Sequence, residues 1–282
     1  MLATSPNTWP MPPDVKSIEI NGYPMAYREL GIGDPVVLIH GSIGDYRVWN
    51  VQLTAFAKRN RVLTPSLRHY FPEPWSGEGG QFSIEQHASD VAAFIKALSP
   101  GKVHLLGWSR GGAVVTEVAK HAPEVIRTLI LEDGTIDLAG LDSAAMAEAR
   151  AEFTARFDRL KAAIRSGRIE QGAREFYDVS GGAGTWDRLP QSRRQSALDN
   201  LRTALAEGGR PLTTGGQVAA FDFPILPLCG ERSPARYALT YDAMRRLRPI
   251  ADTVIIPQAG HAMHLDNPKA FNAAVEHWLA TH

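Results

Sequence analysis

The feature that most constrains the fold is a short turn at residues 107–111, GWSRG, where an apolar run passes directly into a helical pattern. The run before it, KVHLLGW at 102–108, is typical of a buried strand. Two glycines flanking a serine make a turn tighter than a strand-to-helix connection needs. We therefore expect this turn to hold the Ser109 hydroxyl at its tip. The alternative is a glycine-rich turn that only packs a helix against a strand.

Apolar, β-rich runs alternate with amphipathic stretches along most of the chain. Continuous apolar runs of this kind are typical of parallel strands covered on both faces, so the alternation predicts an α/β sheet. The first segment differs, because VKSIEI-NG-YPMAYREL predicts a hairpin around Asn21-Gly22 and thus an antiparallel start to the sheet. The six later candidate strands are 35–40, 61–65, 102–108, 127–132, 224–229 and 252–257.

Three helix starts carry local sequence signals. Ser83 with Gln86 has the spacing of a capping box, and the helix that it opens should end near Leu98. Ser233-Pro234 and Asn267-Pro268 each have the pattern of an N-cap followed by proline at the first helical position. We expect these pairs to open two later helices.

One long region breaks the alternation. From about Leu138 to Gly216 there is no convincing strand, and two strong helical patterns occur instead, at 142–167 and 191–208. We expect a helical cap inserted between two strands of the sheet. The predicted organisation is an extended tail at 1–14, a core formed by 15–137 and 217–282, and a cap at 138–216.

Composition excludes several classes of partner. Thirty basic and thirty acidic residues give zero formal net charge, which does not favour nucleic acid. No apolar run is long enough to span a membrane. A single cysteine, Cys229, excludes an internal disulfide and suggests a buried structural thiol in a reducing cytoplasm. We expect no cofactor and no metal, because the chain has no metal-ligand spacing, phosphate loop or dinucleotide fingerprint.

The strand, the Gly-x-Ser-x-Gly turn and the helix after it resemble the nucleophile elbow of the α/β-hydrolase family. The resemblance runs from about Ser17 to Leu279 and rests on three motifs: HGSIGDYRVW, GWSRGG and IPQAGHAMHLDNP. It implies a mostly parallel eight-stranded sheet flanked by helices, with a helical cap between strands six and seven. It also implies that Ser109 is a nucleophile.

The same resemblance implies roles for residues in the first and last motifs. The first motif matches the oxyanion loop, so backbone N–H groups of Ser42 (or Gly41) and of Arg110 would hold an oxyanion. His261 matches the catalytic histidine of the family. His40 is expected to shape its loop, and His264 to make a packing or polar contact.

The acid of the triad departs from the common family pattern. Most members carry it three residues after a glycine at the end of the seventh strand, where this chain has Ser233. Haloalkane dehalogenases and fungal zearalenone lactonases place it at the end of the sixth strand, at the spacing of Ser109 to Asp133. We therefore predict Asp133 as the acid, with Glu231 and Glu132 as alternatives. Glu132 should point to the opposite face of the strand by alternation.

A second departure lies in the loop after the fourth strand, PSLRHYFPEPWSGEGG, which replaces the usual family stretch. His69, Tyr70 and Trp75 in this loop could line one wall of the site. Packing of the loop against the core is an equally good interpretation of the three rings.

Serine, histidine and a carboxylate together predict acyl transfer through an acyl-enzyme. The expected partner is a small-molecule substrate, a small or medium apolar carboxylic ester or lactone. In YDVSGGAGTW, similar to a cap stretch of the zearalenone lactonases, Trp186 could contact the substrate or simply pack the cap. The alternatives are C–C bond hydrolysis or perhydrolysis on the same triad, or a binding protein of hydrolase fold with little turnover.

Overall fold

The computed structural model describes residues 11–99, 101–141 and 144–282. Its main sheet has eight strands in the order β1-β2-β4-β3-β5-β6-β9-β10. Antiparallel pairing joins β1 to β2 and β2 to β4, and the remaining neighbours are parallel. The strands are β1 Lys16–Ile20, β2 Tyr23–Leu30, β3 Pro35–Ile39, β4 Arg61–Pro65, β5 Val103–Trp108, β6 Ile126–Glu132, β7 Asp137–Leu138, β8 Leu212–Thr213, β9 Ile225–Gly230 and β10 Val254–Ile256.

Helices cover both faces of the sheet. One apolar cluster packs the sheet against α2, α3 and α9, and a second packs its other face against α1 and α11. The helices are α1 Asn50–Phe56, α2 Ile84–Leu98, α3 Arg110–His121, α4 Ala144–Arg165, α5 Ile169–Gly181, α6 Thr185–Arg188, α7 Gln191–Asn200, α8 Gly215–Ala219, α9 Arg236–Leu247, α10 Met263–Asp266 and α11 Pro268–Thr281, with short 3-10 turns at Tyr46–Trp49, Pro123–Val125 and Leu201–Leu205.

The predicted α/β class and its eight-stranded, mostly parallel sheet are confirmed. All six later candidate strands occur within two residues of the predicted bounds. The hairpin forms as expected, because Asn21 and Gly22 both take positive φ (49° and 70°), which a two-residue turn of this type needs. The parallel strands β3, β5, β6 and β9 end at one edge of the sheet, and that edge carries the candidate site.

The segment between β7 and β8, which we call the cap, is helical, but it is closed by two short strands that the sequence did not predict. These strands pair in parallel at the base of the cap. A fully buried carboxylate, Asp45, fastens the cap to the core. It accepts hydrogen bonds from Asn200 Nδ2 (2.6 Å) and Ser196 Oγ (3.2 Å) of the cap and from the Arg47 guanidinium of the core.

Two of the three predicted helix starts are confirmed. Ser83 accepts a hydrogen bond from the backbone N–H of Gln86, and Asn267 accepts one from that of Ala270. The prediction for Ser233 is wrong, because α9 begins at Arg236 without a side-chain cap and the Ser233 hydroxyl is used elsewhere. Most of the predicted N-terminal tail, residues 1–10, lies outside the described residues. Over the described ranges, no helix has the length and apolarity to span a membrane.

Candidate active site

The turn at residues 107–111 holds Ser109 in a conformation that side chains rarely adopt. Ser109 has φ 53° and ψ −118°, at the junction of β5 and α3. Gly111 is required at this turn, because a Cβ there would lie 2.5 Å from the carbonyl oxygen of Ile39. The strained turn therefore presents the serine hydroxyl at the carboxyl edge of the sheet, beside the free N–H groups at the start of α3.

A continuous hydrogen-bonded chain links three side chains from different elements. The distance from Ser109 Oγ to His261 Nε2 is 2.9 Å, and that from His261 Nδ1 to Asp133 Oδ2 is 3.0 Å. The Asp133 side chain is fully buried, whereas the His261 side chain is 26% exposed. A buried anion behind a partly exposed imidazole can stabilise the protonated ring as it takes the serine proton.

Asp133 is held by the ends of two neighbouring strands. It follows β6, takes a φ of 41°, and its backbone N–H donates to the carbonyl of Leu228 on β9 (3.0 Å). Ser233, just beyond β9, donates its hydroxyl to Asp133 Oδ2 (2.6 Å) and accepts a hydrogen bond from the backbone N–H of Gly230 (2.9 Å). The serine at the common family position of the acid thus supports the acid on the neighbouring strand.

Neither alternative carboxylate contacts His261. Glu231 is exposed, and its carboxylate accepts a hydrogen bond from the backbone N–H of Gln258 (2.7 Å). Glu132 points to the other face of β6, as strand alternation predicted, and contacts His264. Asp133 is the carboxylate that the structure brings to His261.

Glu132 and His264 form a second carboxylate–histidine pair, and both side chains are fully buried. Glu132 Oε1 accepts a hydrogen bond from the backbone N–H of His264 (3.0 Å) and lies 2.8 Å from its Nδ1. Burial raises the pKa of the Glu132 carboxyl well above its usual range and lowers that of the His264 imidazole. This pair anchors the loop that carries His261.

Two aromatic side chains fix the orientation of the His261 ring. Tyr237 stacks on it, with ring centroids 5.2 Å apart and planes 11° from parallel. Trp108 donates its indole N–H to the backbone carbonyl of His261 (2.8 Å), and its ring contacts the edge of His264. Sequence analysis missed both contacts. Trp108 had a usable signal, because it occupies the variable position next to the serine in the motif, whereas Tyr237 depends on how α9 packs.

The loop after β3 approaches Ser109 closely enough to act as an oxyanion loop. A Cβ on Gly41 would lie 3.0 Å from Ser109 Cβ. Among the described residues, the backbone N–H groups of Ser42 and Arg110 donate to no protein acceptor. His40 shapes this loop as expected: its Nδ1 lies 2.8 Å from the carbonyl of Gly41, and burial lowers its pKa to about 4, so it is neutral.

The rings of the variant loop after β4 pack against one another. His69 stacks on Trp75 (4.4 Å between centroids), and Trp75 stacks on Phe82 (5.2 Å). Tyr70 is buried edge-on against His40. The structure therefore favours loop packing over a role for these rings as a wall of the site.

A cavity of about 370 Å³ lies between the core and the cap. Thr135 and Tyr237 line it from the core, Phe153 and Phe157 line it from the cap, and its charged side chains include Arg210 and Arg236. A smaller cavity of about 180 Å³ adjoins it, since residues 207–210 line both. Ser109 and His261 line neither cavity, but Tyr237, which stacks on His261, lines the larger one.

Trp186 is fully buried in the cap and lines neither cavity. Its ring packs against Tyr177 (5.5 Å), and its backbone N–H donates to Asp178 Oδ1 (2.9 Å). The structure thus favours the packing interpretation, and substrate contact by Trp186 stays a prediction.

Within the described ranges, no group of three or more His, Cys, Asp or Glu side chains could hold a metal ion. Burial raises the pKa of the Cys229 thiol, which suits a structural residue.

Comparisons with known proteins identify a family, two similar proteins and a structure of similar fold. A family model described as the alpha/beta hydrolase family matches residues 36–274. A Bacillus subtilis protein provisionally assigned as a 2-succinyl-6-hydroxy-2,4-cyclohexadiene-1-carboxylate synthase is 26% identical over 279 residues, which cover 92% of this chain and 95% of that protein. The pimeloyl-acyl-carrier-protein methyl ester esterase of Aeromonas hydrophila is 25% identical over 272 residues, covering 90% and 99%. Among solved structures, a thermophilic esterase from Thermogutta terrifontis has a TM-score of 0.69 at 24% identity, covering 94% and 98%.

Proposed function

The chain belongs to the alpha/beta hydrolase family, and on that premise we propose that it is a serine hydrolase that cleaves a small or medium carboxylic ester or lactone. The observation that carries the proposal is the unbroken chain from Ser109 Oγ through His261 to Asp133, with distances of 2.9 and 3.0 Å. Ser109 is the nucleophile, His261 the general base and Asp133 the acid that orients it. Relatives that are esterases and hydrolases support a carboxylic ester hydrolase.

In the acylation step, His261 Nε2 takes the proton of Ser109 Oγ as this oxygen attacks the carbonyl carbon of the ester. The electron pair of the C=O bond moves onto the carbonyl oxygen. The backbone N–H groups of Ser42 (or Gly41) and Arg110 stabilise this oxyanion, at the start of α3, where the helix dipole also favours negative charge. The intermediate collapses, the C–O bond to the leaving alcohol breaks, and His261 returns the proton to that alcohol.

Deacylation reverses the roles with water. His261 takes a proton from a water molecule that attacks the acyl-enzyme, the bond to Ser109 Oγ breaks, and the proton returns to the serine. Asp133 keeps its charge throughout, because its function is to hold Nδ1–H and to balance the imidazolium. No step requires a metal or an organic cofactor.

The cavity lined by Tyr237, whose ring stacks on His261, supports the substrate size. A volume of about 370 Å³ is within the range of small-molecule sites, and rings such as Phe153 and Phe157 suit the apolar body of a small or medium ester. A lactone is an internal ester and follows the same steps without loss of a separate alcohol. We place the enzyme in the cytoplasm, since its one cysteine is buried and needs no oxidising compartment.

The test of the nucleophile uses Ser109→Ala. We expect this variant to keep the fold and to lose about 10⁵-fold or more in kcat, because triad residues act as a unit. Activity is measured on p-nitrophenyl esters of graded chain length and on a panel of lactones. A fluorophosphonate probe should label the native chain once, at Ser109, and the position is read by peptide mass spectrometry.

Three results would contradict the proposal. They are undiminished turnover by Ser109→Ala, labelling at another residue, and the absence of turnover on every ester and lactone in the panel. Tight ligand binding that survives Ser109→Ala without any turnover would favour a binding protein. Efficient cleavage of dienoic ketones with weak ester hydrolysis would favour C–C bond hydrolysis on the same triad.

A further inference from the structure

The larger cavity holds more positive than negative charge, although the whole chain is neutral, with thirty residues of each sign. Two of its carboxylates are already paired. Asp137 lies 3.3 Å from Arg150 Nε, and Glu207 lies 3.8 Å from Arg110 Nε. Asp158 also lines the cavity, but it is exposed to solvent and is in no ion pair with a described residue. The acidic residues of the cavity therefore leave some of its cations without a counter-charge.

Arg210, Arg236 and Lys161 are those cations, and Lys161 donates to the backbone carbonyl of Glu207 (2.6 Å). Neither guanidinium has a carboxylate within ion-pair distance among the described residues. Arg210 lies over the face of Phe153 (4.4 Å to the centroid), and Arg236 lies near the same ring (5.8 Å) and donates to the hydroxyl of Tyr237 (2.6 Å). An aromatic face attracts a cation but does not neutralise it. Burial lowers the pKa of Arg210, so its charge is poorly hydrated.

A third guanidinium, that of Arg156, also approaches the Phe153 ring (5.5 Å to the centroid). Two guanidiniums that lie near one ring and lack carboxylates, as Arg210 and Arg236 do, are costly unless something compensates them. Guanidinium groups pair with carboxylates in a planar, often two-pronged geometry, and such charge-assisted hydrogen bonds are about twice as strong as neutral ones. The position of the pair also matters, because Tyr237 connects it to the reaction. The hydroxyl of Tyr237 accepts from Arg236, and its ring stacks on His261. Arg236 thus contacts the hydroxyl of the tyrosine whose ring stacks on the catalytic imidazole.

We infer, on the premise of the ester hydrolase proposed above, that the substrate itself carries a carboxylate, which Arg210 and Arg236 bind while its ester carbonyl lies at Ser109. The substrate class is then the monoester of a short dicarboxylic acid, or an ester or lactone with a carboxylate at a similar distance. Phe153 packs against the chain between the two groups. This refines the apolar substrate expected from the sequence, since only the middle of the molecule is apolar.

The first experiment compares substrates that differ in one charge. Monoethyl succinate, glutarate and adipate are each compared with the corresponding diethyl ester, and hydrolysis is followed in a pH-stat. Ethyl esters are used because an activated aryl ester next to a free carboxylate hydrolyses by itself. A second pair places the carboxylate on the alcohol side of the ester. It compares the acetate ester of 4-hydroxybutyrate with the acetate ester of methyl 4-hydroxybutyrate. We expect the charged substrate to have a kcat/KM about tenfold or more above that of its neutral partner in at least one of these pairs, either one of the three dicarboxylates or the alcohol-side pair.

The second experiment assigns the preference to residues. Arg210→Gln and Arg236→Gln should each lower the charged-to-neutral ratio of kcat/KM about tenfold, mainly through a higher KM, since the contact binds substrate and transition state alike. The control is Arg174→Gln, which removes a cation from the exposed surface of the cap, where Arg174 pairs with Asp187. It should keep the wild-type ratio. Each variant is checked for its melting temperature.

The outcomes separate the two proposals. Ser109-dependent hydrolysis of the neutral diesters with no preference for any charged partner would overturn the carboxylate site and leave the ester hydrolase intact. Lack of hydrolysis of every ester would overturn the ester hydrolase itself. A charged-to-neutral ratio that falls equally in Arg174→Gln would also overturn the site, because it would reflect the overall charge of the protein. The substrate comparison uses the wild-type chain, so it decides the question even if one arginine variant does not fold.

Discussion

Two carboxylate–histidine pairs lie side by side in this protein, and in the mechanism proposed above only one of them acts as a base. Both carboxylates come from the end of β6, at consecutive positions, and both histidines come from the segment after β10, three residues apart, with His264 in α10. Asp133 holds His261 with its ring partly exposed and its second nitrogen on Ser109. Glu132 holds His264 in full burial, with no nucleophile beside it.

If the proposed mechanism holds, the difference indicates what a catalytic pair needs beyond the contact itself. In the Asp133 pair, the far side of the imidazole is open to a reacting group, so a proton can pass through the ring. In the Glu132 pair, burial disfavours charge on both partners, and His264 Nε2 has no hydrogen-bond partner among the described residues. One pair is arranged to move a proton, and the other to hold a loop in place.

The largest expected effect comes from removing the charge of the first pair. Asp133→Asn should lower kcat by about 10² to 10⁴-fold, because the amide no longer holds His261 in the tautomer that accepts the serine proton. Ester hydrolysis is measured at pH 8, and the melting temperature is measured in parallel. The matched control is Glu231→Gln, which changes an exposed carboxylate that does not contact His261 and should lose less than about twofold. A crippled Glu231→Gln beside an active Asp133→Asn would refute the assignment of the acid.

Removal of the Glu132 carboxylate, in the second pair, should instead lower the stability of the fold. Glu132→Ala leaves the buried backbone N–H and imidazole of His264 without their acceptor and opens a small cavity. We expect the free energy of unfolding to fall by about 2 to 4 kcal/mol. Urea unfolding at pH 7 measures this. If Glu132→Ala kept its stability but lost activity to the extent of Asp133→Asn, the two pairs would not have separate functions.

The pH dependence of stability gives a smaller and more specific test. The folded-state pKa of Glu132 is raised, so the folded chain binds more protons than the unfolded chain above the ordinary carboxyl value of about 4.3. The contribution of Glu132 protonation to the stability of the native chain is therefore complete below the ordinary carboxyl pKa, and it is lost as pH rises toward the raised pKa. Glu132→Gln does not titrate there. Its stability relative to the native chain should therefore improve by up to about 1.4 kcal/mol per pH unit until the raised pKa is passed.

Urea unfolding of both chains at pH 5, 6 and 7 provides the comparison. Because every other titratable group is shared, the difference between the two chains reports the Glu132 carboxyl together with His264, the imidazole that it contacts. A difference that stayed constant over this range would mean that Glu132 is ionised in the folded chain, and that the second pair resembles the first more closely than its burial implies.

The smallest expected effect concerns the support of the first pair. Ser233→Ala removes the hydroxyl that donates to Asp133 Oδ2, a contact of 2.6 Å. Loss of this one hydrogen bond, while the carboxylate keeps its other contacts, should lower kcat by about 3- to 10-fold, with little change in KM. Ser233→Thr, which keeps the hydroxyl, should restore most of the rate. Equal loss in both variants would mean that side-chain packing at this position, rather than the hydrogen bond, matters.

Much of the fold could be predicted from the sequence, because periodicity and turn residues report local structure directly. The apolar runs gave all six later strands, and Asn21-Gly22 gave the hairpin. Strand alternation correctly separated Asp133 from Glu132, since neighbouring residues on a strand point to opposite faces. The spacing to Ser109 pointed to the same carboxylate that the structure brings to His261.

The errors share one physical cause, which is contact between segments far apart in the chain. Ser233 has the local pattern of a helix cap, yet its hydroxyl donates to Asp133, a hundred residues earlier. The two short strands at the base of the cap, β7 and β8, are too short to show a periodic pattern in the sequence. They form only because the end of the cap lies beside its beginning. The two arginines of the cavity could not be predicted, because Arg210, just before β8, and Arg236, on α9, meet only around Phe153 of α4.

The contact between Ser233 and Asp133 also has an evolutionary consequence. Because β6 and β9 are parallel neighbours, their ends place two positions, those of Asp133 and Ser233, near the same imidazole. The acid can occupy either position in the course of evolution. Carboxylates at both positions at once would repel each other at hydrogen-bond distance, so one of them would have to stay protonated. A neutral hydroxyl at one position removes that conflict. A lineage can therefore exchange the strand that carries its acid through intermediates with a serine at one of the two positions, without moving the nucleophile or the base.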